Sequence, residues 1–186
     1  LSLAGGLLFA LVATLIPELV LSIYSTDPAV VALGGSYLRI VGFGYVAVAI
    51  TVSYSAVLRS IENPKLPMIA SLIALSFNTA MNYGLIFGHF GLPKLGVIGA
   101  AIATCSARYL ECLILLGVVY GCKLPVAASL PELLNLKVIS LKRFFKTTIP
   151  VMLTEITWSL GITTYNVVYA RIGTESIAAV NIAVTI

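Results

Sequence analysis

From Ile40 to Leu58 the chain carries no formal charge. As a helix rising 1.5 Å per residue this stretch reaches about 28 Å, close to the roughly 30 Å of a bilayer's hydrocarbon core. One such run would describe an anchor, but the pattern recurs. Residues 66–93 hold no charged group other than His89, and residues 147–170 are interrupted only by Glu155. Repeated runs of this length restrict the chain to a polytopic helical bundle, because in lipid every backbone N–H and C=O has to be satisfied within the span.

Composition agrees. Charged residues make up 10% of the chain and hydrophobic residues 60%, whereas a soluble domain carries about 25% charge. A net charge of +4 does not imply nucleic-acid binding, which needs cations clustered on one exposed face, and none is formed here. Cys105, Cys112 and Cys122 form no CxxC pair and are read as packing residues. The glycines between Gly84 and Gly99 do not spell a phosphate loop. His89, the single histidine, has no acidic or nucleophilic neighbour, so neither an enzyme nor a metal or organic cofactor is expected.

Turn signals divide the chain into helices expected over 1–23, 31–58, 67–87, 95–120 and 147–170, with a sixth starting near Glu175. Apolar runs reach both ends, Leu1 and Ile186, which suggests a segment of a longer chain. The longest polar connection is 123–146. Within it Ser129-Leu-Pro-Glu132 reads as a capping box, and the leucine and basic residues that follow suggest a helix lying in the headgroup region. Arg59, Lys65, Lys123, Lys137, Lys142, Arg143 and Lys146 fall in the connections after the second and fourth helices. Those after the first, third and fifth hold only Lys94 and Arg171. The bias places the 123–146 connection in the cytoplasm of a multi-pass plasma-membrane protein.

Ionisable groups at bilayer depth cost about 2.5 to 3.5 kcal/mol and often mark a transport path. Glu155 lies about 13 Å along its helix from Lys146. Pro150 lies five residues before it, and Trp158 at i+3 offers an aromatic face to an organic cation. The plainer reading is a protonated glutamate bonded to a neighbouring helix. Arg108 and Glu111, at i and i+3, read as an offsetting charge pair, or alternatively as one that breaks and reforms. Asn78 and Asn82 share a helix face, with Ser71 and Ser76 earlier in the span; the amides can bind another helix or coordinate a cation.

The ordered motifs resemble one family. Tyr37-Leu-Arg-Ile40 opens a helix that closes on Ala56-Val-Leu-Arg-Ser60 and Asn63-Pro-Lys. The next helix carries Asn78-Thr-Ala-Met-Asn82-Tyr-Gly-Leu-Ile-Phe-Gly88, followed by the long string from Gly91 to Thr104. Ile149-Pro150 through Glu155, Trp158 and Gly161, then Arg171-Ile-Gly-Thr174 and Ala178 to Ile182, complete the pattern. This pattern is similar to the multidrug and toxic compound extrusion (MATE) transporters, from their third helix into their eighth.

The resemblance implies a twelve-helix, two-lobe bundle. Residues 1–122 would complete the first six-helix lobe, 123–146 would form the inter-lobe connection, and 147–186 would open the second lobe. It further implies export of organic, often cationic, compounds by antiport with Na⁺ or H⁺, with no cofactor and a monomeric state. A flippase for lipid-linked oligosaccharides of related architecture is the alternative, and Arg39 and Arg108 would suit it. In the family, a first-lobe cation site uses an Asn and an Asp one turn apart; here Asn78 and Asn82 hold those positions, so an amide replaces the acid. A seventh-helix acid serves a second-lobe site, and Glu155, three residues nearer its proline than in the best-known subgroup, is the counterpart by helix, with Na⁺ as its possible ligand.

Overall fold

The computed structural model describes residues 2–23, 27–127 and 138–172. The described residues are built from helices: α1 (Ser2–Leu15), α2 (Pro17–Ser22), α3 (Pro28–Ser60), α4 (Lys65–Phe87), α5 (Val97–Gly121) and α6 (Val138–Ile172). Three of them, α3, α4 and α5, are long and apolar enough to cross a membrane by length and composition. The chain divides into two compact units, one of residues 1–21 and 27–127 and the other of residues 22–26 and 128–186, and each is described by itself.

In the first unit, each helix end has a local cause. Asp27 caps α3 by accepting the Ala29 amide at 2.9 Å, and Pro28 occupies the first helical position, where its missing N–H costs nothing. The α4 helix closes on Gly88 at φ 80°, with the Gly88 amide donating to the Gly84 carbonyl at 2.8 Å. That left-handed conformation is one glycine adopts without penalty.

The helix expected over 1–23 is two helices. Pro17 cannot donate to the preceding turn, so α1 ends at Leu15 and α2 starts at Pro17, and α1 alone is short of a span. The helix expected from 147 starts earlier, at Val138. Residues 138–146 are helical and run without a break through Pro150 into the following segment, so they do not form a separate interfacial helix. The threonines and Glu155 of α6 lower its hydropathy, and α6 is not among the three candidate spans. The Ser129–Glu132 box, the Gly173–Thr174 turn and the helix expected from Glu175 lie outside the described residues.

The α5 helix is the centre of the first unit. It packs against both α3 and α4, which scarcely touch one another, and α1 lies against α3. Small residues allow these approaches. A Cβ on Gly99 would stand 2.6 Å from the Leu85 carbonyl oxygen, and one on Gly6 would stand 2.6 Å from the Ala49 Cβ. Where the C-termini of α3 and α5 meet the N-terminus of α4, Leu58, Leu115 and Val119 form a fully buried cluster against Tyr54, Leu66 and Leu124. Phe9, Phe43, Leu75 and Leu113 instead point outward, as side chains do when the surrounding solvent is lipid.

Candidate functional site

Two intramembrane polar groups found in the sequence lie in the first unit. Asn78 and Asn82, one turn apart on α4, bond to each other: the Asn82 Nδ2 donates to the Asn78 Oδ1 at 3.0 Å. The Asn82 Oδ1 is buried and has no hydrogen-bond partner among the described residues, an acceptor left open at a cost of about 1 to 3 kcal/mol.

The second group is centred on Glu111, about 15 Å from the end of α5 at 1.5 Å per residue. Its Oε2 accepts from the Arg108 Nη1 at 3.2 Å, and its Oε1 accepts from the Ser71 hydroxyl of α4. The acid is held and the cation is not: the Glu111 side chain is 8% exposed and the Arg108 side chain 53%. The i, i+3 spacing foretold this pair. It could not supply Ser71, whose role depends on how α4 crosses α5.

Two small cavities flank the carboxylate. One, of about 100 Å³, is lined by Ser71, Asn78, Thr104, Arg108 and Glu111 with Ala74, Leu75 and Ala107. The other, of about 180 Å³, adds Thr51, Ser55 and Arg59 from α3 to Ser71, Arg108 and Glu111. Both exceed the roughly 30 Å³ that a water occupies in the liquid, and both are polar enough to hold one. Arg59, read in the sequence only as a flanking cation, is therefore part of this site. Its position at i+8 from Thr51 and i+4 from Ser55 was the available signal.

Arg39 has its own partner, the Glu18 carboxylate of α2 at 3.7 Å, so the short helix after Pro17 is joined to α3. Cys105 is half-buried, Cys112 buried and Cys122 exposed, and all three are free thiols. Among the described residues, no three His, Cys, Asp or Glu side chains gather in a way that could hold a metal ion.

In the second unit, Glu155 lies exposed on α6, and no hydrogen bond or ion pair reaches it from the described residues. The hydroxyls beside it are already engaged along their own helix: Thr154 donates to the Pro150 carbonyl at 3.1 Å and Thr157 to the Leu153 carbonyl at 2.8 Å. Trp158 is 70% exposed and borders a shallow apolar groove with Thr154, Thr157, Gly161, Ile162 and Tyr165. Glu155 does not line that groove. Glu155 and Trp158 stand at i and i+3, neighbouring positions along α6. Tyr165, at i+7 from Trp158, is the aromatic residue the sequence reading passed over.

Residues 1–84 match the MatE family model. The chain is 35% identical over 100 residues to a probable multidrug resistance protein NorM of Rhizobium meliloti, covering 54% of this chain and 21% of that protein. A protein of the same description from Bacillus cereus (strain ATCC 10987) is 32% identical over 121 residues, 64% of this chain and 26% of its own length. Another, from Mannheimia succiniciproducens, is 26% identical over 181 residues, 90% of this chain and 38% of that protein. The chain thus spans well under half of these relatives. No solved structure matches it.

Proposed function

For a chain whose residues 1–84 match the MatE family model and that has three helices long and apolar enough to cross a membrane among the described residues, we propose secondary active export. The transporter would exchange Na⁺ or H⁺ for organic, mainly cationic, compounds across the plasma membrane. Residues 1–122 would complete a first lobe, 123–146 would connect the lobes on the cytoplasmic side, and 147–186 would open the second lobe. No chemical step is assigned to any residue, and the protein would act as a monomer without a cofactor.

The observation that carries this reading is the similarity to NorM multidrug resistance proteins along a chain whose intramembrane polar groups lie in two separate units. Glu155 would bind the coupling cation, with Trp158 and its groove contacting the organic substrate. In the first unit, Asn78 and Asn82 would contribute through the open Asn82 acceptor. An ion drives exchange only if it binds one access state better than the other, and a carboxylate with no fixed partner on its own helix can change its surroundings as access alternates.

A flippase for an anionic lipid-linked substrate would need free cations facing a cavity. Arg39 and Arg108 both face carboxylates, whereas Arg59 lines the cavity beside Glu111.

The test is ethidium efflux from proteoliposomes holding the intact transporter, driven by a Na⁺ jump at fixed pH or by a pH jump without Na⁺. Efflux should follow one of these gradients, and Glu155→Gln should reduce it at least tenfold while membrane insertion stays normal. Full efflux by the variant would remove Glu155 from the coupling site.

A further inference from the structure

The surroundings of Glu111 are not what a purely structural ion pair requires. Replacing a buried pair with well-packed apolar residues is often neutral or stabilising. Here α3, α4 and α5 are already held together by the Gly99–Leu85 contact and by the Leu58, Leu115 and Val119 cluster. The pair is also lopsided. Its carboxylate is fixed from α4 by Ser71 and almost fully buried, while its guanidinium extends to more than half exposure. Water-sized space meets the carboxylate on two sides.

The larger space leads in one direction. Thr51, Ser55 and Arg59 succeed one another at i, i+4 and i+8 along α3 and line the same cavity as Glu111. Thr51 and Ser55 therefore set side-chain oxygens beside the buried acid, with the Arg59 guanidinium at the last turn of α3, and oxygen is the donor that hard cations prefer. The charged and titratable groups around Glu111 are few. Arg59 comes from α3, Arg108 and Cys112 are on α5 itself, and α4 presents only the Ser71 hydroxyl and the Asn78 amide to the two cavities.

We propose that Glu111 is a second cation-exchange carboxylate, on which a monovalent cation, Na⁺ or H⁺, replaces the Arg108 guanidinium beside the Thr51 and Ser55 hydroxyls. The cation enters as Arg108 turns outward, and leaves when the guanidinium returns. Arg108 is thus a built-in competitor that sets how tightly the ion is held. No covalent step is involved. This inference rests on the cation-coupled reading above and adds a carboxylate in the first unit to the one on α6.

The experiment uses the intact transporter in proteoliposomes with ethidium as the transported probe. The half-saturating Na⁺ concentration at fixed pH is measured in one arm, and the half-saturating proton concentration in choline buffer in the other. Arg108→Gln removes the competitor and should lower the half-saturating concentration of the coupling ion about tenfold; Glu111→Gln should raise it by at least as much. The arm in which both shifts occur identifies the ion. If Glu111→Gln fails to insert, Arg108→Gln decides alone. An unchanged or raised value there overturns the proposal, as does wild-type coupling in the Arg108→Gln/Glu111→Gln double variant, the outcome a structural pair predicts. If the wild-type protein shows no cation-driven efflux, the antiport reading fails with it. Coupled wild type with unshifted variants sinks Glu111 alone.

Discussion

Glu111 and Glu155 carry the same functional group in opposite settings. Around Glu111 the fold supplies a cation, a hydroxyl and two enclosing helices, so the acid is buried and fully partnered. On α6 the neighbouring hydroxyls turn back to their own helix, and Glu155 stands beside an apolar groove with no partner among the described residues. The glycines repeat the contrast. A Cβ at Gly99 would run into the Leu85 backbone, whereas one at Gly161 meets nothing within 4 Å. The same acid can thus be partnered across two helices or stand without a partner among the described residues, and the difference lies in its surroundings.

The largest expected effect is the one that would break this contrast. Glu155→Gln should cost at least tenfold in cation-driven efflux with little change in the melting temperature of the detergent-solubilised transporter. A melting temperature lowered as much as by a core substitution would mean that Glu155 is structural. Leu115→Ala should do the reverse. It empties a fully buried position and should destabilise by about 2 to 5 kcal/mol, read by reversible unfolding in mixed micelles, while the half-saturating cation concentration stays at its wild-type value.

The glycine pair sharpens the comparison further. Gly99→Val should cost about 1 to 3 kcal/mol through overpacking against Leu85, whereas Gly161→Ala should be neutral or gain up to about 1 kcal/mol from helix propensity. A loss at Gly161 would reveal a close neighbour for α6. The smallest effect is expected for Tyr54→Phe. It removes the hydrogen bond at 2.7 Å between the Tyr54 and Tyr120 hydroxyls, which links α3 to α5. The cost should be about 0.6 kcal/mol, typical of one interhelical bond in a membrane.

Much of the fold was legible because the bilayer makes a simple demand. Uncharged length located α3, α4 and α5, while the structure showed the caps at Asp27 and Gly88 that set two of their ends. Where length was the whole argument, the reading went wrong. It ran through Pro17, where the missing amide divides the helix, and it stopped a helix short of Val138, because basic residues read as a connection can equally extend a helix beyond the apolar core. The site was legible in the same partial way. Spacing within one helix disclosed Arg108 with Glu111 and Asn78 with Asn82, and a lone charge in an apolar run drew attention to Glu155. Ser71, Arg59 and the pairing of Glu18 with Arg39 depend on contacts between helices, about which periodicity along one helix carries no information.

The sequence by itself determined that the chain is helical and membrane-spanning, and which charges can meet on one helix. Those properties follow from hydrophobic length and from the 3.6-residue repeat. Tertiary structure alone decided that α5 stands between α3 and α4, that Ser71 bonds Glu111 while Arg108 remains about half exposed, and that two cavities border that acid. The physical reason is that burial and partnership depend on how helices cross, and the crossings are set by close contacts such as Gly99 on Leu85.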